Sequence, residues 1–286
     1  MTGLALFLLI CAAFFHASWN FISKKACGGA IFVWLFNATA SIVYIPIVIG
    51  SMWITKSFFS WDYTIFMLGS AFLHVGYFIL LNKGYHAGDL SLVYPLARGT
   101  GPLISVLAAI LFLGEHPSLL ALMGTLLIAI GVFLLLGNPT KYVKINAAQP
   151  VLFAVLTGVF IASYTLWDKY SVSNMNIPPI LMYWGATVGQ AFLLLPYALK
   201  NREEVVNQWI TNRLSIIGVA ILCPLSYILV LTAMVFTPVS YVAPAREVSI
   251  LIGAIMGARF LAEGDVKLRI TAATVILAGL ACISIG

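Results

Sequence analysis

The chain has 286 residues, 62% of them hydrophobic and 8% charged, against roughly a quarter charged in an ordinary soluble domain. So little charge cannot clothe a water-facing surface, which excludes a soluble globular protein. The formal net charge of +6 is spread over short loops rather than gathered on one basic face, which argues for membrane topology and against nucleic acid.

A helix needs about 20 mostly apolar residues to cross about 30 Å of hydrocarbon. Such stretches recur in chain order at 2–22, 30–51, 64–83, 91–113, 119–136, 150–170, 177–199, 214–236, 240–261 and 268–285. Strand-length alternation is absent, and in lipid only helices or a closed barrel satisfy every backbone polar group. The expected fold class is therefore an all-α integral membrane protein of about ten transmembrane helices. No Lys or Arg precedes the first span, so it is expected to stay in the mature chain rather than act as a cleaved signal. Cys11, Cys27, Cys223 and Cys282 show no paired spacing, and neither disulfides nor metal ligation is expected. Most Lys and Arg fall in or near odd-numbered loops, which by the positive-inside bias turns both termini outward from the cell's inner (plasma) membrane.

An offset of 148 positions carries Trp19 to Trp167, Asn20 to Asp168, Arg98 to Arg246, Glu115 to Glu263 and Gly131 to Gly279. Coincidences of Leu or Ala are cheap in such a chain, whereas those of Trp, Arg and Glu are not. The division expected is a first five-helix repeat at 1–138, a linker at 139–149 and a second repeat at 150–286. Five is odd, so the second repeat enters the bilayer from the opposite face. Inverted repeats of this kind characterise secondary transporters, with the substrate held near the midplane between halves that open alternately.

Polar residues at membrane depth face the bundle interior or water, because exposure to lipid is costly. In HASWNFISKK, His16, Trp19 and Asn20 share one helical face, and Tyr164, Trp167 and Asp168 repeat the spacing in the second half. These six are expected to line a central cavity. Arg98 lies among Pro95, Gly99, Gly101 and Pro102, and Arg246 follows Pro244, so both helices are expected to kink or unwind. A charge at a helix centre costs at least ~2.5 kcal/mol on insertion scales. Each arginine therefore needs a partner: Glu247, Asp168, or an anionic substrate gripped through two parallel hydrogen bonds. Tyr94, Tyr227 and Tyr77 are candidate donors to the substrate. His16, Asp168 and Glu247 are the candidate proton carriers. Glu115 and Glu263 close their spans and read as boundary or capping groups, while GATVG at 185–189 and GAIMG at 253–257 suit close helix crossing.

HASWNFISKK, YPLARGTGPLISVLAAILFLGE and YVAPAREVSILIGAIMGARFLAEG, in this order across two halves, resemble the EamA-like family of the drug/metabolite transporter superfamily. The resemblance implies ten helices in two inverted halves around a central cavity, and movement of small organic solutes, often outward. It differs in charge placement: the second loop holds mainly Lys56, where family members are often strongly basic.

The function expected is alternating-access transport of a small polar or anionic metabolite. The substrate-contacting set is His16, Trp19, Asn20, Tyr94, Arg98, Tyr164, Trp167, Asp168, Tyr227, Arg246 and Glu247. An organic cation enclosed by the aromatic residues beside Asp168 and Glu247 is the alternative substrate. A non-transporting receptor or assembly subunit is the alternative of another class. With no HExxH, GxSxG or paired metal-ligand motif, no enzyme activity is expected. No cofactor or metal is expected. The partners are the substrate, the lipid bilayer and protons as coupling ion, and the assembly is a monomer or a weak homodimer.

Overall fold

The computed structural model describes residues 1–26, 29–56, 59–88, 90–134, 148–261 and 266–286. Most of the expected linker, Cys27 and Glu263 lie outside the described residues. Twelve helices are present among those described: α1 Gly3–Lys25, α2 Ala30–Val43, α3 Ile45–Thr55, α4 Asp62–Ala87, α5 Leu90–Leu113, α6 Leu119–Leu134, α7 Ala148–Ser173, α8 Pro179–Lys200, α9 Arg202–Phe236, α10 Val239–Arg246, α11 Val248–Leu261 and α12 Val266–Ile285. Each of the ten expected spans coincides with one helix or with a broken pair. Six helices are long and apolar enough by themselves to cross a membrane, and α2 with α3, bent by 43°, makes a seventh. Pro46 near the start of α3 cannot donate to the preceding turn, which accounts for that bend.

The molecule is turned inside out relative to a soluble protein. Phe7, Trp53, Leu111, Phe112 and Leu214 are exposed, whereas Arg98, Asp168, Arg246 and Glu247 are buried. The apolar exterior suits hydrocarbon, and the polar groups are sequestered where other side chains reach them.

Prolines act differently in the two arginine-bearing segments. Despite Pro95 and Pro102, α5 stays helical past Arg98, so the expected unwinding there is not observed. In the second half the helix breaks at Glu247, directly after Arg246 and three residues beyond Pro244. At the end of α5, Gly114 takes φ +65°, a left-handed conformation that glycine adopts without a Cβ penalty. Glu115 N–H then turns back to Ala109 O at 3.2 Å. The longest helix, α9, has a non-helical residue at Asn212 (φ −119°, ψ 15°), separating a charged first segment from the apolar span expected from 214.

Contacts between the halves come in exchanged pairs. Trp34 Nε1 donates to Ala191 O at 3.1 Å, and Trp184 Nε1 donates to Ser41 O at 2.8 Å. An offset of 150 carries Trp34 to Trp184 and Ser41 to Ala191, so the second bond is the first with the halves swapped. Where α6 crosses α12, a Cβ on Gly124 would lie 2.6 Å from Gly279 O, and one on Gly131 would lie 3.1 Å from Ala272 O. The offset of 148 exchanges these two pairs. In both crossings residue numbers rise on one helix as they fall on the other, so the paired helices run antiparallel. The termini also meet: the Met1 amino group donates to Ser284 O at 3.3 Å.

Of the two glycine motifs, GATVG does what its pattern suggests. Gly185 and Gly189 admit Met67 and Ala71 of α4. GAIMG differs, because Gly253 has open space where its Cβ would be.

Candidate functional site

Residues from both halves meet at the break between α10 and α11. Arg98 Nε on α5 lies 3.0 Å from Glu247 Oε2, and Arg246 Nε lies 3.6 Å from Glu247 Oε1. These side chains are 4%, 3% and 1% exposed for Arg98, Arg246 and Glu247, so the contacts replace water as the source of compensation for the charges. Asp168, the other expected partner for an arginine, is instead held by Tyr227, whose hydroxyl donates to Asp168 Oδ2 at 2.8 Å.

The two arginines are not equally satisfied. Arg98 also sends Nη2 to His16 Nε2 at 3.4 Å and to Ser249 Oγ at 3.5 Å. Guanidinium only donates, so His16 Nε2 accepts and the imidazole carries its proton on Nδ1. Arg246 has the single longer contact to Glu247, and its Nε and Nη2 make no hydrogen bond. Arg98 Nε and both Glu247 oxygens also lie outside hydrogen-bond geometry, so the two arginines differ at Nη2 and in their distance from Glu247. Its guanidinium carbon lies 5.8 Å from the centre of the Tyr164 ring, within cation–π range.

Tyr164 belongs to a second cluster built around Asp168. The His74 ring stacks on Tyr164 at 4.1 Å and meets Tyr227 edge-on at 5.4 Å and Tyr183 at 6.2 Å. Tyr77 reaches Tyr164 at 6.0 Å, and Tyr183 lies 4.9 Å from Tyr227. Asp168 is buried, with the Ser70 side chain of α4 as a further polar neighbour, and its Oδ1 makes no hydrogen bond of good geometry. Eight helices are thus tied through two connected clusters, α1, α5, α10 and α11 in one and α4, α7, α8 and α9 in the other, with Arg246 beside Tyr164 as the link.

Of the expected site residues, His16, Arg98, Tyr164, Asp168, Tyr227, Arg246 and Glu247 are drawn into these clusters. Tyr94 is half-buried, one turn before Arg98 on α5. The remaining three face other duties. Trp167 Nε1 donates to Phe66 O at 2.8 Å, tying α7 to α4. Trp19 meets His16 edge-on at 5.0 Å and packs against the apolar cluster of α2 and α9, with its buried Nε1 unbonded. Asn20 donates to its own helix, at His16 O. The sequence reading missed His74, Tyr183, Ser70 and Ser249. The rule that singled out His16, a titratable ring inside an apolar span, applied equally to His74 in AFLHVGYF.

The end of the bundle next to α10 is held by two charged caps. Glu115 Oε1 accepts from Val239 N at 2.7 Å and Oε2 from Ser240 N at 2.9 Å, placing a carboxylate at the amino end of α10, where the helix dipole favours it. Lys169 Nζ donates to Met234 O at 2.5 Å and Thr237 O at 3.1 Å at the carboxyl end of α9. Glu115 thus has the capping role expected of it, with its partner helix in the opposite half. No group of three or more His, Cys, Asp or Glu side chains able to hold a metal ion occurs among the described residues.

An apolar helical bundle built from two repeats, with Arg98, Asp168, Arg246 and Glu247 buried at its centre, is a multi-pass membrane protein. The profile of the EamA-like transporter family matches residues 3–137 and again 149–285, so the chain belongs to that family and through it to the drug/metabolite transporter superfamily. A solved crystal structure matches 100% of this chain and 98% of its own at TM-score 0.76 and 14% sequence identity, a likeness of fold. None of the curated proteins compared with the chain matches it.

Proposed function

We propose that the chain is a secondary active transporter that moves a small polar or anionic organic metabolite by alternating access. Its ten membrane-crossing segments form two inverted five-helix repeats. The antiparallel, exchanged crossings of α2 with α8 and of α6 with α12 support the inversion. The meeting of Met1 and Ser284 supports an even number of crossings, with the shorter helices completing those that length alone leaves uncounted.

One observation carries the choice of an anion: two buried guanidinium groups share one carboxylate, and Arg246 keeps two unbonded donors. An incoming carboxylate or phosphate gains charge-assisted hydrogen bonds there without displacing any existing one. Glu247, closer to Arg98, stays paired while Arg246 turns to the solute. Arg246 is therefore the grip, and Arg98 holds its counter-charge. Among the proton-carrier candidates, Asp168 is best placed. His16 already accepts from Arg98, and a proton on its Nε2 would set a second cation beside that guanidinium. Glu247 lies between two arginines, whereas Asp168 has one oxygen unbonded and lies between the halves.

The organic-cation reading is favoured by the same free Asp168 oxygen and the rings around it. Against it, those rings touch one another at 4.1–6.2 Å, so they must part before an ammonium group enters. Counterflow in proteoliposomes decides between the two. Monocarboxylates, dicarboxylates and inorganic phosphate are tested against a panel of quaternary ammonium ions. Exchange of anions is expected, and exchange of cations alone would overturn the anion reading.

A further inference from the structure

The aromatic cluster contains a ring whose geometry serves neither the ion pairs nor Asp168 directly. His74 lies on α4 in the first half, yet its ring neighbours Tyr164, Tyr183 and Tyr227 come from α7, α8 and α9 of the second. Its Nδ1 lies 2.9 Å from Ser70 O and 3.3 Å from Ser70 Oγ. A carbonyl oxygen only accepts, so Nδ1 carries the proton and the ring is pinned to its own helix one turn back. The pinned face stacks on Tyr164 at 4.1 Å with 24° between planes, and Tyr164 in turn lies beneath the Arg246 guanidinium.

We infer that His74 is a positioning residue for the anion site: anchored by the Ser70 carbonyl, it fixes the Tyr164 ring against which Arg246 is held ready. The inference rests on Arg246 being the anion grip, and it adds a first-half residue that sets the aim of a second-half ligand. Without such a support, a guanidinium with two unbonded donors would swing among the nearby acceptors. Preorganisation in a low-dielectric interior depends on removing that freedom. The Ser70 bond sets the tilt of the imidazole, but the ring acts on Tyr164 through its flat face, which packing against Tyr183 and Tyr227 also holds in place, so a phenyl ring at the same position retains most of the effect.

The test needs no substrate. Purified protein in detergent is treated with phenylglyoxal, which adds to guanidinium groups, and modification of Arg246 and Arg98 is followed separately by peptide mass spectrometry. His74→Ala is expected to speed modification of Arg246 about fivefold, in line with the loss of one stacked ring pair, with Arg98 unchanged. His74→Phe is expected to return the Arg246 rate to within about twofold of wild type, since a phenyl ring stacks comparably. Ser70→Ala keeps the carbonyl and is expected to match wild type. Three results would each overturn the inference: an unchanged Arg246 rate in His74→Ala, an equal rise at Arg98, or His74→Phe behaving as His74→Ala. Because no flux is measured, failure here is separable from failure of the transport reading, which shows as absence of anion exchange by wild type.

Discussion

Arg98 and Arg246 occupy matching places in the two halves yet hold different numbers of partners, and single substitutions should expose the difference. Arg98→Ala leaves buried Glu247 with only the 3.6 Å contact to Arg246, and breaking a buried pair in this way costs about 3–5 kcal/mol. A large fall in the detergent melting temperature is expected. Arg246→Ala leaves the 3.0 Å pair intact, so the protein should melt near wild type while anion exchange is lost. The opposite ranking in melting temperature would show the roles reversed. Asp168 makes a separate prediction: Asp168→Asn should uncouple flux from an imposed pH gradient yet preserve solute exchange down its own gradient. Persistent acceleration by the pH gradient in that variant would remove Asp168 as carrier. At this scale the arginines were legible because charge in an apolar span demands a partner, and Glu247 was a named candidate. His74 answers to the same rule as His16, a titratable ring in an apolar span, but its neighbours Phe, Leu and Val give no sign of what stacks on it. The indole of Trp167 was also opaque: spacing places it on the face with Asp168 but not against the Phe66 carbonyl.

Among the elements, the existence of each helix was the most readable feature, because apolar runs are closed by turn residues or charge; the start of α9, twelve residues ahead of its apolar span, was not. Breaks were less so. Proline predicts a lost hydrogen bond but not whether neighbours hold the helix together, and α5 continues where the α10–α11 pair parts. Glu115 shows how a boundary residue gains a structural task from a partner distant in sequence. Glu115→Gln retains the oxygen that accepts from one amide but loses the charge at the dipole and the second acceptor. A cost of about 1–2 kcal/mol is expected from capping and dipole terms, read as a melting shift of a few degrees. No shift would mean the cap is replaceable by water.

For the molecule as a whole, the repeat was legible from five matching positions, whereas inversion is an expectation drawn from an odd count of spans and belongs to the proposed arrangement. The local offset of 150 at the indole pairs was not legible, because a single ungapped offset of 148 does not register the two extra residues between Trp167 and Trp184. With the chain ends in contact, single cysteines introduced at Thr2 and Ile285 should react from the same side with a membrane-impermeant maleimide. Opposite-side labelling would require an odd number of crossings and would sink the ten-segment arrangement.

The length of α9 carries a consequence for how the protein sits in its lipid. Its 35 residues would span about 52 Å at 1.5 Å per residue, well beyond about 30 Å of hydrocarbon. The departure at Asn212 lets the leading ten residues leave the crossing direction. On that segment Val206, Trp209 and Ile210 are exposed at helical spacing, while Glu203 and Glu204 fall in the first turn. Such a float rests at the headgroup boundary with its greasy side toward the acyl chains. Trp209 is thereby a depth gauge: brominated phospholipids labelled near the glycerol should quench its emission more than those labelled at the chain ends, after subtraction of a Trp209→Phe control.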